Sequence, residues 1–148
     1  MIKSTKEQQI YESLIKIVIF FNKPEQDKKL IDTAGIDLTP SAFPVLVSIA
    51  RLQPTNVGDL SYRLGKDHSS VGRQIKKLEL QALISINTSV DDKRMRVISL
   101  TNQGVRIISK INQARQKSIQ RALSDWQEEE KNSLIIKLEK LVESLDRE

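Results

Sequence analysis

The chain has no cysteine and a single histidine among 148 residues. Disulfides, thiolate metal sites and thiol redox sensing are therefore excluded, and one histidine cannot build a catalytic or zinc cluster. Aromatic residues make up only 4% of the chain, with five glycines and four prolines. No apolar run approaches the roughly 18–20 residues that span a bilayer. The longest, Leu14 to Phe21, is short and broken by Lys16. The N-terminus lacks the apolar stretch and small-residue site of a secretory signal. A cytoplasmic protein with no membrane partner is expected, and the absence of cysteine suits that compartment. No glycine-rich phosphate loop, metal-ligand spacing or nucleophile motif appears. No enzyme, cofactor or metal is expected.

What is present is helical periodicity and an uneven charge. The hydrophobic content is 39%, enough for a packed core, and charged residues make up 29%. The net charge is +5. Residues 1–62 hold 7 basic and 7 acidic side chains. Residues 63–96 hold 8 basic and 4 acidic, and residues 97–124 hold 5 basic and none acidic. Residues 125–148 hold 4 basic and 8 acidic. Positive charge gathered in the middle of a chain suits a polyanion. A solvated lysine-rich face gives the same arithmetic, so charge alone leaves both open.

Ile10, Leu14, Ile17 and Phe21 fall on one helical face, widened by Tyr11, Ile15 and Val18. Ser4 with Glu7 fits a capping box at its start. Glu25 to Ala34 reads as a second short helix, with Pro24 at its start and Gly35 closing it. Thr39 and Pro40 open a third, with Phe43, Leu46, Val47 and Ala50 on its apolar face. Pro44 then requires either an irregular first turn or a start near Ser41. Gln53-Pro54-Thr55 ends it.

Two capped helices follow with a tight join. Asn56 caps Val57 to Leu64, with Val57, Leu60 and Leu64 inward, and Gly65 closes it. Asp67 caps a helix to about Gln81, with Val71, Ile75 and Leu78 inward. Helix, short glycine turn and second capped helix form the helix-turn-helix pattern. Leu83 to Asn87 and Arg94 to Leu100 carry the strand signals, joined by the polar tip Ser89 to Lys93. A hairpin placed there is a wing. From Thr101 the pattern is helical again, through Val105, Ile108, Ile111, Arg115, Ser118 and Ala122, with Ile107, Ala114 and Ile119 beside them. A break falls near Ser124-Asp125-Trp126. The last helix has Glu128, Glu129 and Glu130 in its first turn, where the helix dipole favours acids. Leu134, Leu138, Leu141 and Leu145 line one face of it, flanked by Ile135 and Val142.

The expected fold is mainly α with a small β-hairpin wing. Residues 39–101 form the winged helix-turn-helix head, and residues 1–38 and 102–148 form a helical dimerisation region. The terminal stripes exceed what a head of this size can cover. A two-fold dimer buries the surplus, although an intramolecular helical layer is the competing arrangement.

On the second helix of the head, Ser70, Arg73, Gln74 and Lys77 fall opposite the apolar face. Arginine pairs in bidentate fashion with guanine, and glutamine likewise with adenine. Ser69, Ser70, Lys76 and Lys77 suit phosphate oxygens. Gly72 costs about 1 kcal/mol of helix propensity relative to alanine. It permits close approach to DNA or to the preceding helix, or is simply tolerated. His68 stands in the first turn, where it can touch phosphate or serve no role. The wing carries Asp92, Lys93, Arg94 and Arg96 for a minor groove whose negative potential attracts arginine. Asp92, two residues before Arg94, is expected to orient it through a local ion pair.

These segments, taken in order, resemble the MarR family of winged helix-turn-helix transcriptional regulators. The resemblance is carried by Leu38-Thr39-Pro40 with Leu46, by Asp59-Leu60 to Leu64-Gly65, and by Ser69-Ser70-Val71-Gly72-Arg73. It continues through Lys77-Leu78-Glu79 with Leu83-Ile84, and through Asp91-Asp92-Lys93-Arg94 leading to Leu100-Thr101-Asn102-Gln103-Gly104. Asp125-Trp126 before Glu128-Glu129 completes it. It implies a homodimer whose two heads read palindromic double-stranded DNA, with one helix in the major groove and the wing in the minor groove. By position, the family's wing acid and arginine fall on Asp92 and Arg94, and its recognition-helix serine and arginine on Ser70 and Arg73. A repressor released by a small aromatic or phenolic anion is implied too, although no motif fixes a pocket for one. Ala82 departs from the pattern, standing where a glycine commonly precedes the first wing strand. That turn is expected to differ. A helical protein-interaction module and a nonspecific architectural DNA-binding protein are the alternatives.

Overall fold

The computed structural model describes residues 2–148. Among these, the elements run α1 (Lys6–Phe21), α2 (Pro24–Ala34), α3 (Phe43–Leu52), α4 (Val57–Leu64), α5 (His68–Leu80), β1 (Ile84–Thr88), β2 (Arg96–Leu100), α6 (Asn102–Ala122) and α7 (Glu128–Asp146). The chain divides into two compact units, one ending at Ala114 and one of Arg115–Glu148.

The first unit has one apolar core. Phe43, Val45, Leu46 and Ile49 of α3 meet Leu60 of α4, Val71, Ile75 and Leu78 of α5, and Ile84 and Ile98 of the hairpin. Ile31 of α2 and Ile111 of α6 join the same cluster. On α3 the buried set differs from the expected face: Val45 and Ile49 are buried, whereas Val47 and Ala50 are half-buried. The sequence Phe-Pro-Val-Leu-Val-Ser-Ile-Ala is apolar on nearly every side, so periodicity alone does not select a face.

Local chemistry sets the element boundaries. The capping box of α1 is formed by Thr5 and Gln8, not Ser4 and Glu7. The Gln8 N–H donates to Thr5 Oγ1 at 3.1 Å, and the Thr5 N–H donates to Gln8 Oε1 at 2.9 Å. Both residue pairs fit the capping pattern, and the helix starts one residue later than expected. Before α3, the Ala42 N–H donates to Thr39 Oγ1 at 3.2 Å, closing an irregular turn that contains Pro40. Pro44 then falls in the first turn of α3, where its missing N–H is not needed.

The hairpin is antiparallel, with Ile84 opposite Leu100, Ile86 opposite Ile98 and Thr88 opposite Arg96. β1 is shifted by one residue from its sequence signal, leaving out Leu83 and taking in Thr88, and β2 is shorter than its signal, leaving out residues 94–95. Sequence patterning missed a third partner. Thr55 exchanges both backbone hydrogen bonds with Ile98, at 3.0 and 2.7 Å. The Leu100 N–H donates to Gln53 Oε1 at 2.9 Å. The wing is thereby tied to the segment preceding α4.

Its other end is tied to α6. Ala82 has φ 61, the left-handed conformation for which glycine is suited. The turn thus keeps a left-handed residue although alanine occupies it. The Thr101 hydroxyl donates to the Ala82 carbonyl at 2.6 Å and accepts from the Gly104 N–H at 3.1 Å. Gly104 is buried, and a Cβ there would overlap the Leu83 carbonyl oxygen. Of the expected α6 stripe Ile111 is buried and Ile108 half-buried, whereas Val105 is 52% exposed, Gly104 taking the inward place at the start of the helix.

α1 buries no residue, and Ile10, Tyr11, Ile17, Val18 and Phe21 are all exposed. In the second unit α7 buries none either. Leu134 and Leu141 are half-buried, and Ile135, Leu138, Val142 and Leu145 are exposed. α7 opens on a capping box between Gln127 and Glu130, with Glu128, Glu129 and Glu130 in its first turn. Among the described residues no helix is long and apolar enough to cross a membrane.

Candidate nucleic-acid interface

α4, the turn and α5 are set by three short-range caps. The Asp59 N–H donates to Asn56 Oδ1 at 2.8 Å, starting α4. Gly65 takes φ 62 and ends it. The Ser70 N–H donates to Asp67 Oδ2 at 3.1 Å, starting α5. Side-chain and backbone hydrogen bonds from Ser70 hold the Asp67 carboxyl below its ordinary pKa. α5 is thus locked at its first turn and pressed on the core through Val71, Ile75 and Leu78.

The remaining residues of α5 divide into a crest and a flank. Ser69, Arg73, Lys76 and Lys77 are exposed. Ser70 and Gln74 are half-buried, and Gln74 Oε1 is fully enclosed without a hydrogen-bond partner. Gln74 lies three residues after Val71 and four before Leu78, so it borders the buried side rather than standing opposite it. The Arg73 guanidinium donates to Ser70 Oγ at 3.2 Å. His68 is exposed. Leu80, which the sequence did not single out, is 80% exposed. It shares the crest with Ser69, Arg73 and Lys76 at i, i+4, i+7 and i+11.

The wing tip has its own internal order. The Ser89 N–H donates to the Met95 carbonyl at 2.8 Å, and the Met95 N–H donates to the Asp92 carbonyl at 3.0 Å. The Arg94 N–H donates to Asp92 Oδ1 at 2.9 Å. Asp92 therefore acts on Arg94 through its backbone, not through the expected ion pair with its guanidinium. A carboxylate two residues earlier in a tight turn is nearest to the amide, which fixes that choice. Lys93, Arg94 and Arg96 are exposed.

This combination of a buried-faced, capped second helix with a basic hairpin is shared with known proteins. Residues 36–95 match the family model described as MarR family. Over that stretch the chain is similar to the MarR family. Transcriptional regulator Tm0710 from Thermotoga maritima is 29% identical, with 94% of this chain and 96% of that one covered at a TM-score of 0.70. A MarR family protein from Bacillus stearothermophilus superposes with a TM-score of 0.74 at 21% identity, covering 97% and 99% of the two chains. Staphylococcus aureus MarR in complex with salicylate and kanamycin has a TM-score of 0.65 at 21% identity, covering 96% and 93%. These last two likenesses are of fold. No curated protein sequence matches the chain. The likeness in fold assigns α4 and α5 to a helix-turn-helix and the β1–β2 hairpin to a wing.

Proposed function

We propose that the chain is a homodimeric, cytoplasmic, sequence-specific reader of palindromic double-stranded DNA, acting as a repressor. α5 enters the major groove and Arg94 enters the minor groove. The observation that carries this proposal is the crest of α5. Ser69, Arg73 and Lys76 project from a helix whose opposite side is buried, next to a hairpin bearing Lys93, Arg94 and Arg96. Arg73 reads guanine, while Lys77 and the serines meet phosphate. The exposed apolar residues of α1 and α7 supply the surface that a second copy covers. Residues 1–38 and 102–148 then act as the dimerisation region and 39–101 as the reading head. The salicylate complex of the S. aureus relative supports an aromatic anion as effector.

Arg73→Ala is expected to relax specificity at one base pair per half-site, at a cost of about 1–3 kcal/mol. Lys77→Ala is expected to weaken all sequences alike. Binding of single-base operator variants, measured by fluorescence anisotropy, separates the two. Unchanged affinity in both variants would contradict the groove assignment.

A further inference from the structure

Beside the crest of α5, between its flank and the start of α3, lies a recess of about 250 Å³. Val45 and Val71, both buried, give it an apolar wall. Ser41, Lys66, Ser70, Arg73 and Gln74 give it a polar one. Two of these are cations, and no carboxylate lines it. The nearest acid along the chain, Asp67, is engaged in the cap of α5. The Arg73 guanidinium is steadied at the recess by Ser70 Oγ. Gln74 lines it as well, with its amide oxygen enclosed and unpartnered. A recess lined by two cations, two hydroxyls and a glutamine is suited to a tetrahedral oxyanion.

The groove geometry says which oxyanion. A helix with its side chains is about 10–12 Å across, and the major groove is about 12 Å wide. A helix seated there presents its crest to base edges and its flanks to the phosphate walls. The recess lies on a flank. We infer that Ser41, Lys66, Ser70 and Gln74 together seat one DNA backbone phosphate per subunit, with Arg73 at the rim of the recess left to reach the bases. This rests on the DNA-binding proposal above. It adds Ser41 and Lys66 to the interface, and it moves Gln74 from reading adenine to holding the backbone.

The test uses the full-length protein and a mixed-sequence duplex, with affinity followed across salt concentration. Ser41 and Lys66 are exposed, so Ser41→Ala and Lys66→Gln are expected to fold normally, which thermal melts check. Lys66→Gln should lower the slope of log affinity against log salt by about 0.9 for each recess engaged. Lys137→Gln, on α7, should leave it unchanged. Methylphosphonate substitution, one linkage at a time, should reveal a phosphate whose neutralisation weakens the wild type but not the Lys66→Gln variant. Gln74→Ala should weaken binding without altering base preference. Wild-type binding with an unchanged slope in Lys66→Gln, or altered base preference in Gln74→Ala, would overturn the phosphate seat and leave the DNA reader standing. Inorganic phosphate that shifts the Gln74 side-chain NMR signals, with the slopes unchanged, would assign the recess to a free anion instead. Failure of the wild type to bind any duplex at low salt would remove the DNA reader and the seat together.

Discussion

Ala82, at φ 61, holds a backbone conformation that costs an L side chain roughly 1–2 kcal/mol. Its carbonyl accepts the Thr101 hydroxyl, and the next residue, Leu83, has a carbonyl that leaves no room for a Cβ at position 104. Positions 82 and 104 thus both favour glycine, and only the second has it. Ala82→Gly is expected to raise stability by about 0.5–1 kcal/mol, the strain relief exceeding the added freedom of the unfolded chain. Gly104→Ala is expected to lower it by about 1–3 kcal/mol, because backbone must shift. Thermal and urea unfolding of both variants checks the pair. Asp67 gives a pH prediction. Its folded-state pKa is depressed, chiefly by the hydrogen bond from the Ser70 side chain. Its contribution is therefore fully present above the ordinary carboxylate range and is lost as pH falls through the lowered value. Asp67→Asn should flatten that part of the stability–pH curve, read from unfolding midpoints under acid conditions.

At the scale of elements, two side chains order the wing tip: Ser89, whose Oγ accepts from the Asp91 N–H at 3.3 Å, and Asp92. Because Asp92 accepts from the Arg94 N–H, its oxygen matters and its charge does not. Asp92→Asn keeps an acceptor in place and removes a negative charge from the DNA side. DNA affinity is expected to be retained or raised. Asp92→Ala loses the acceptor and should weaken binding several-fold, with the amide chemical shift of Arg94 reporting the loss. An equal loss in both variants would mean that an ion pair orients Arg94 after all. The helix-turn-helix was legible in the sequence because its signals are local: Asn56, Gly65 and Asp67 act within three residues of themselves. The strand pairing of Thr55 with Ile98, and the burial of Gly104, are tertiary contacts with no local pattern. Gln74 was legible in principle. Its spacing from Val71 and Leu78 puts it at the edge of the buried stripe, a signal outweighed by its polarity.

At the scale of the molecule, the first unit gathers the core around α3, α4, α5 and the hairpin, and leaves the apolar residues of α1 outside it. The second leaves those of α7 exposed. The width of those stripes was visible in the sequence, and so was the head between them. What covers the stripes is a property of assembly, which one chain's periodicity does not specify. The proposed dimer makes one demand on DNA: two heads related by a two-fold axis read two inverted half-sites, spaced about one helical turn or a multiple of it. Selection from a random duplex pool at near-physiological salt, followed by sequencing of what the protein retains, tests that demand directly. Enrichment of a palindrome with half-sites about one turn apart is the predicted result. Retention without enrichment, or no retention at all, would contradict a dimeric sequence-specific reader.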